Sequence, residues 1–529
     1  MQSDHKLKLL LEKLYACAGI PNAAQCAAQA MDYLNHPDGT LQQDLSVRAL
    51  KGGTYKIKGY YMEDNDLTDI RGASTLISEV QNTLLPQRLC EMIGFDCILY
   101  NGGGNLLALV SGNTDPEIVV QLEQEADAYL VTANSAYYLS EPFLLSEYLG
   151  NEYRNLTAKI ENGLSERKKA KLHYDPKPES QFVGHILLGH ELYADQISAV
   201  KSVYCEKCRK RLAVYNRKGK TICGGCLHKV HVGETEKSGY LQRYAESTGK
   251  QVRVPASISD IDRNRIAVVY ADGNNMGGII QHLNSITKMM DFSEFVKGKM
   301  NDIVFQSLAE CNITSPEIIA LGGDDIFLLV PAEQSVQFAV RLTERYQKEF
   351  SEKFPEAAST LSVGFCIMKP DTPIKVALEV AEEELSAAKE LVRANGGDGS
   401  ISFRVFNTYE GAVSERGAET LMPYSVSVAK QLLKYTDAFR QNMNIFTKIQ
   451  NLNAAFRNAE ILEEASMFLD YFNAKSNKPE DKIILPELDG YSLSGGYYSR
   501  TGNYQHGHTS YLWNDLMYLL KFGNRGDTA

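Results

Sequence analysis

Apolar residues in this chain gather in short runs bounded by Gly and Asp. Ile266-Ala267-Val268-Val269, Ile318-Ile319-Ala320-Leu321 and Ile326-Phe327-Leu328-Leu329-Val330 read as buried strands. Gly322-Gly323-Asp324-Asp325 joins the last two, so they form a β-hairpin. Phe338, Leu342 and Tyr346 recur at helical spacing and predict a helix over 334–352. A strand follows over 361–367. Leu378, Ala381, Leu385, Ala388 and Val392 then stripe a long helix that exits at Gly396-Gly397, and a last strand falls over 401–406. The order is β-α-β-β-α-β with additions, the ferredoxin-like or palm arrangement.

The N-terminal third repeats this pattern. Residues 55–61 alternate like a strand. A helix opens near Asp69-Ile70-Arg71-Gly72 and runs to about 93. Strands over 95–100 and 106–110 flank the turn Asn101-Gly102-Gly103-Gly104-Asn105. Gly102 and Gly103 stand where Gly322 and Gly323 stand. Gly104 and Asn105 replace Asp324 and Asp325. The first palm is thus expected to keep the fold and to lack the carboxylates.

Acidic residues give the second palm its chemistry. Tyr270-Ala271-Asp272-Gly273-Asn274-Asn275-Met276-Gly277 ends one strand, and Asp324-Asp325 lies at the hairpin tip some 50 residues on. Three carboxylates at adjacent strand ends suit Mg²⁺ or Mn²⁺, which takes hard oxygen ligands. Two such ions about 4 Å apart stabilise both the attacking and the leaving oxygen of a phosphoryl transfer. Asp272, Asp324 and Asp325 are the expected metal ligands and catalytic residues. Gly273, Asn274 and Asn275 precede a helix start whose N–H groups suit a triphosphate. Gly322 and Gly323 let a nucleotide lie close to the backbone. Lys389, beside the helix exit, is placed to reach phosphate.

These motifs together resemble the active palm of the large signalling subunit of type III CRISPR effector complexes. That CRISPR polymerase family is related to GGDEF nucleotide cyclases. The resemblance covers roughly residues 45–410. It implies synthesis of cyclic oligoadenylates from ATP when the complex binds foreign RNA. It also implies Asp272, Asp324 and Asp325 at metal, Gly322, Gly323 and Lys389 at nucleotide, and a second ATP held near Gly102-Gly103. The implied partners are the other subunits with guide and target RNA. The stretch Ile70-Arg71-Gly72 resembles a leucine-arginine-glycine-type stretch of the family's first palm. About 50 residues precede the first palm here, too few for the family's HD nuclease, so no DNase activity is expected.

Cysteine spacing adds a separate signal. Cys205-x2-Cys208 and Cys223-x2-Cys226 are 14 residues apart, the spacing of a zinc ribbon with short strands between two knuckles. Four thiolates leave no open position, so the zinc is expected to be structural. His228 and His231 are read as surface residues outside the ligand set. A zinc-binding insert before the active palm is also a feature that the resemblance implies. Cys17, Cys26, Cys90, Cys97, Cys311 and Cys366 lie in apolar settings and are read as buried, inert thiols.

The fold class is therefore α+β. Residues 1–150 hold N-terminal helices and the degenerate palm, 151–200 a connection, 201–235 the zinc ribbon, 236–410 the catalytic palm and 411–529 a helical domain with an aromatic-rich tail. The chain has 529 residues and a formal charge of −11, which argues against gripping long nucleic acid alone. The run Arg167-Lys168-Lys169-Ala170-Lys171 is read as a solvated linker. No run of 18 apolar residues occurs, so no membrane partner and a cytoplasmic location are expected. Two other readings share some of these motifs. One is a palm-type cyclase acting outside CRISPR, or joining AMP to another small molecule. The other is a non-enzymatic scaffold with vestigial palms.

Overall fold

Two sheets with the same strand order organise the chain. The computed structural model describes residues 2–174, 195–196, 203–235 and 239–406, apart from 38, 65, 103, 324 and 356–358, and chiefly 422–440, 491–494 and 497–500 beyond them. Residues 1–239, 276–301 and 319–324 make one unit; 240–275, 302–318 and 325–529 make the other.

In the first unit α1 (Gln2–Cys17) and α2 (Ala23–Asn35) lead into β1 (Ser46–Tyr55), α3 (Ile57–Tyr61) and α4 (Leu67–Glu79). A π-helical turn (Val80–Leu84), α5 (Leu85–Ile93), β2 (Ile98–Gly102), β3 (Asn105–Ser111), α6 (Glu117–Leu130) and β4 (Asn134–Leu139) follow. The sheet order is β2-β3-β1-β4, the ferredoxin-like order. β5 (Phe143–Leu144) pairs with the start of β1, and α7 (Leu145–Leu149) and α8 (Tyr153–Tyr174) come next. Val47 and Ala49 of β1 and Leu107 and Leu109 of β3 share a core with Leu7, Leu11 and Leu14 of α1.

Two expectations are corrected here. The strand expected over 55–61 lies earlier, over Ser46–Tyr55. Lys56 takes a left-handed φ of 55° and turns the chain into the helix α3. The alternation of 57–61 reflects a one-turn helix that buries Tyr60 and Tyr61, not a pleat. The basic run is no solvated linker either. It lies on α8, where Arg167 pairs with Glu123 at 2.8 Å and buried Lys171 donates to the Ser135 carbonyl at 2.9 Å. These bonds fasten α8 to α6 and β4.

The cysteine-rich segment adds β6 (Asp195–Gln196), β7 (Tyr215–Arg217), β8 (Lys220–Ile222) and α9 (Gly224–Thr235) to this unit. Helices α9 and α4 cross backbone to backbone at two glycines. A Cβ on Gly72 would lie 1.8 Å from the Lys229 carbonyl oxygen, and one on Gly233 would lie 1.9 Å from that of Thr68. Only glycine fits such a crossing. Gly72 of the Ile70-Arg71-Gly72 stretch is therefore a packing residue.

The second palm runs α10 (Gly239–Thr248), β9 (Ile266–Asn274), α11 (Met276–His282), α12 (Ile286–Glu310), β10 (Glu317–Gly322) and β11 (Asp325–Pro331). Then come α13 (Ala332–Lys353), β12 (Thr360–Met368), α14 (Ile374–Asn395), β13 (Ser400–Val405), β14 (Tyr424–Ser425) and α15 (Val426–Arg440). The sheet order is β10-β11-β9-β12-β13-β14. Its first four strands repeat the order of the first palm, and β13 is added parallel to β12. Every residue of β12 is buried, as a strand covered on both faces requires. Helix α14 lies on β12 at Gly364, where a Cβ would sit 2.1 Å from the Leu385 nitrogen.

Further on, β15 (Tyr491–Ser494) and β16 (Tyr497–Arg500) pair as an antiparallel hairpin, within a region expected to be helical. Met467-Phe468-Leu469 and most of the aromatic tail lie outside the described residues. Among the described residues no helix is long and apolar enough to cross a membrane.

Candidate active site

The acidic site is built on the β9–β11 ladder. Ile326 pairs with Ala271, so one step further along the antiparallel ladder sets Asp325 opposite Asp272. Their strands are rigid and apolar up to this end: Ala267, Val268, Val269, Leu328, Leu329 and Val330 are all fully buried. The two carboxylates thus stand where this buried apolar ladder reaches solvent. Asp325 is exposed and accepts a hydrogen bond from the Tyr270 hydroxyl at 2.9 Å. Asp272 is ion-paired with Lys389 of α14 and is 20% exposed. Two acids and one cation, all reachable from solvent, suit a divalent cation and a phosphate. Asp324 lies outside the described residues.

Ser362 pairs with Asp272 on the other side of β9. Its hydroxyl donates to Asn274 Oδ1 at 3.0 Å, and Asn274 Nδ2 donates to Thr360 Oγ1 at 2.9 Å. The Asn274 side chain, expected at nucleotide, is thereby engaged in bridging β9 to β12. Ser400 donates to the Ala388 carbonyl at 2.6 Å, next to Lys389. That bond fixes the turn of α14 that carries the lysine. Gly273 is buried in the ladder opposite Leu361. Asn275 takes a left-handed φ of 62° and leads into α11. Gly322 has no atom within 4 Å of where a Cβ would sit, and Gly323 has a φ of 66°, so this backbone is open and requires glycine.

The first palm lacks more of the site than expected. Gly52 pairs with Leu106, so the next step sets Gly53 opposite Asn105. Gly53 and Asn105 hold the ladder positions that Asp272 and Asp325 hold in the second palm. A Cβ on Gly53 would lie 1.9 Å from the Gly104 carbonyl oxygen, so no carboxylate fits there. Gly102 stands beside Ser293, whose Oγ would be 3.5 Å from a Cβ. Gly103 lies outside the described residues.

The four cysteines come together as expected. Cys205, Cys208, Cys223 and Cys226 are buried, with their sulfurs within 4.8 Å of one another. A Zn–S distance of about 2.3 Å puts sulfurs of a tetrahedron roughly 3.8 Å apart. Cys208 and Cys223 Sγ are 3.8 Å apart, nearly twice a disulfide length. The cluster fits structural zinc. β7 and β8 form the hairpin between knuckles. His228 and His231 are buried on α9, not on the surface, and lie outside the thiol cluster. Of the other cysteines Cys17 is exposed and Cys90 half-buried, against expectation. Burial pushes the Cys311 and Cys366 thiols up to about 12 and keeps them inert.

Ion pairs hold this module to the first palm. Lys229 donates to Glu63 at 2.6 Å and to the Tyr60 carbonyl at 2.7 Å, and its ammonium lies 3.6 Å from the Tyr60 ring centroid. Arg211 also pairs with Glu63. Burial works to raise the Glu63 carboxyl, yet Lys229 and Arg211 together hold it below its ordinary value. Lys207 bonds Asp69 at 2.6 Å and Asp64 at 3.2 Å.

Residues 265–396 match the family model of the Cas10/Cmr2 second palm domain. No curated protein sequence matches the chain. Its fold is similar to the crystal structure of an apo Csm1-Csm4 cassette, with a TM-score of 0.54 at 15% identity, over 85% of this chain and 68% of that one. It is similar to a Csm1-Csm4 cassette in complex with cA4 (TM-score 0.52, 14% identity, 86% of this chain and 68% of that one). It is also similar to Csm1 of T. onnurineus (0.53, 14%, 87% and 68%). The two sheets of ferredoxin-like order define a two-palm fold. The chain is Cas10-like: residues 265–396 are similar to the Cas10/Cmr2 second palm, within a fold similar to that of Csm1.

Proposed function

We propose that the chain synthesises cyclic oligoadenylates from ATP as the large subunit of a type III CRISPR complex. The observation that carries this reading is the β9–β11 register, whose Ile326–Ala271 pair brings Asp325 and Asp272 to the same strand ends, beside Lys389. Relatives of the same fold have been crystallised with AMPPNP, cA3 and cA4, which supports an adenine nucleotide as substrate. Asp272 and Asp325, with Asp324, would hold Mg²⁺ or Mn²⁺. The ion supplies charge stabilisation on the attacking and leaving oxygens.

The chain's own residues then bind and orient. Lys389 draws the triphosphate to the strand ends. Open backbone at Gly322 and Gly323 admits the nucleotide. The 3′-hydroxyl oxygen of one adenylate bonds to the α-phosphorus of the next ATP, the bond to the bridging oxygen breaks, and pyrophosphate departs. The hydroxyl proton passes to solvent. Repetition and closure give a ring. Gly53 and Asn105 supply no carboxylate in the first palm, so its part is acceptor binding near Gly102.

Mass spectrometry of products from ATP, with the assembled complex and its target RNA, tests this. Cyclic oligoadenylate supports it. AMP joined to a different small molecule would favour a cyclase-type enzyme outside CRISPR. ATP left unchanged would favour a scaffold.

A further inference from the structure

Tyr270 is not among the acidic and glycine residues that mark the site. It lies two positions before Asp272 and shares its face of β9. It is 5% exposed, with its ring packed edge-on to Phe327, the residue directly across the ladder (centroids 6.2 Å apart, planes at 75°). Asp325 is two residues from Phe327, which makes it the diagonal neighbour of Tyr270. Diagonal neighbours lie about 7–8 Å apart by backbone, within reach of an aromatic side chain. The Tyr270 hydroxyl spans that gap and donates to Asp325 Oδ1 at 2.9 Å.

We propose that Tyr270 is a positioning residue for the metal-binding carboxylate: its hydroxyl fixes the rotation of Asp325, an exposed side chain at a strand end. The proposal rests on the nucleotidyl-transfer reading of the site. Phe327 holds the ring, the ring aims the hydroxyl, and the hydroxyl sets the direction in which Asp325 presents its second oxygen. An exposed aspartate at a hairpin tip otherwise samples several rotamers, and ordering it on metal binding opposes affinity. Partners that orient ligands typically change metal affinity by about 10–100-fold when removed. A purely structural tyrosine would instead be read in stability.

Tyr270→Phe keeps the ring and its contact with Phe327 and removes only the hydroxyl. Mn²⁺ is titrated into the full-length protein and free Mn²⁺ followed by electron paramagnetic resonance. Product formation is measured in parallel against Mg²⁺ concentration. The variant should bind Mn²⁺ about tenfold more weakly, and its half-saturating Mg²⁺ should rise by a similar factor. The KM for ATP at saturating metal and the melting temperature should stay unchanged. Mn²⁺ affinity within twofold of wild type would overturn the proposal. So would a further loss of equal size when Tyr270→Phe is added to Asp325→Asn, because the hydroxyl would then act elsewhere. If wild type forms no nucleotidyl product, the proposed function fails while the Mn²⁺ titration still decides the role of Tyr270.

Discussion

Asp272 of β9 and Lys389 of α14 form an ion pair at the end of the central strand of the second palm. Asp325 stands across the ladder from the same aspartate. On the proposed function, that lysine would meet the phosphates that the metal also meets.

Lys389→Ala should therefore lower kcat/KM for ATP by about 10²-fold, the usual loss for one preorganised charge at a reacting phosphoryl group. Both partners are partly exposed, at 23% and 20%, so the melting temperature should barely change. Steady-state kinetics with a thermal melt checks both. An unchanged kcat/KM would remove Lys389 from the site.

Asp325→Ala, alone or with Asp324→Ala, should abolish product while leaving the fold intact. Asp325 is exposed and outside the apolar core. Metal supplies several kcal/mol of transition-state stabilisation, which converts to a loss on the order of 10³-fold. Circular dichroism and product analysis of the same sample test this. Full activity of the double variant would refute the metal assignment.

Gly53→Asp places a carboxyl at the position in the first palm that Asp272 holds in the second. It should not create a metal site. Its Cβ would lie 1.9 Å from the Gly104 carbonyl oxygen, and backbone cannot swing aside as a side chain does. The loss should be about 3 kcal/mol, the upper range for overpacking. A stable variant that binds additional Mn²⁺ would contradict the register assigned to β1 and β3.

Glu63→Gln should destabilise the first unit by about 3 kcal/mol, because Lys229, with a side chain only 2% exposed, loses its charged partner. The Glu63 carboxyl is held below its ordinary value in the fold. Its stabilisation is thus present above the unfolded pKa, about 4.3, and is lost as pH falls through the folded one. The gap between wild type and variant should be wide at pH 7 and close in acid. A gap that widens toward low pH would reverse the sign of this account.

Zinc on the four cysteines would support the module that makes these contacts. Elemental analysis should find one zinc per chain, and Cys226→Ser should lose it together with solubility and melting temperature, since a closed four-thiolate site contributes folding energy. A metal-free chain with an unchanged melt would refute the assignment.

The second palm was legible because its chemistry is local: apolar runs lead directly into Asp272 and out of Asp325, with glycines between them. The four cysteines were legible for the same reason. The first palm was harder. β1 carries Lys51, Gly52 and Gly53, which break the apolar run, while the strand-like alternation of 57–61 belongs to a helix entered through the left-handed Lys56. Its missing carboxylate at Gly53 could not be read until the register was known. Long-range partners left no pattern either. Glu63 meets Lys229, Arg167 meets Glu123 and Tyr270 meets Asp325 only through tertiary packing. The glycines at 72 and 233 carry a trace of their role, a helix former's absence in mid-helix, without naming the partner.

On the proposed function, Asp272 and Asp325 make a working nucleotidyl-transfer site. Mass spectrometry of the products formed from ATP and Mg²⁺ by the complete RNA-bound complex tests it most directly, with wild type beside Asp272→Asn. Wild type should give cyclic oligoadenylate and pyrophosphate, and the variant neither. Intact ATP from wild type, or equal product from both, would contradict it.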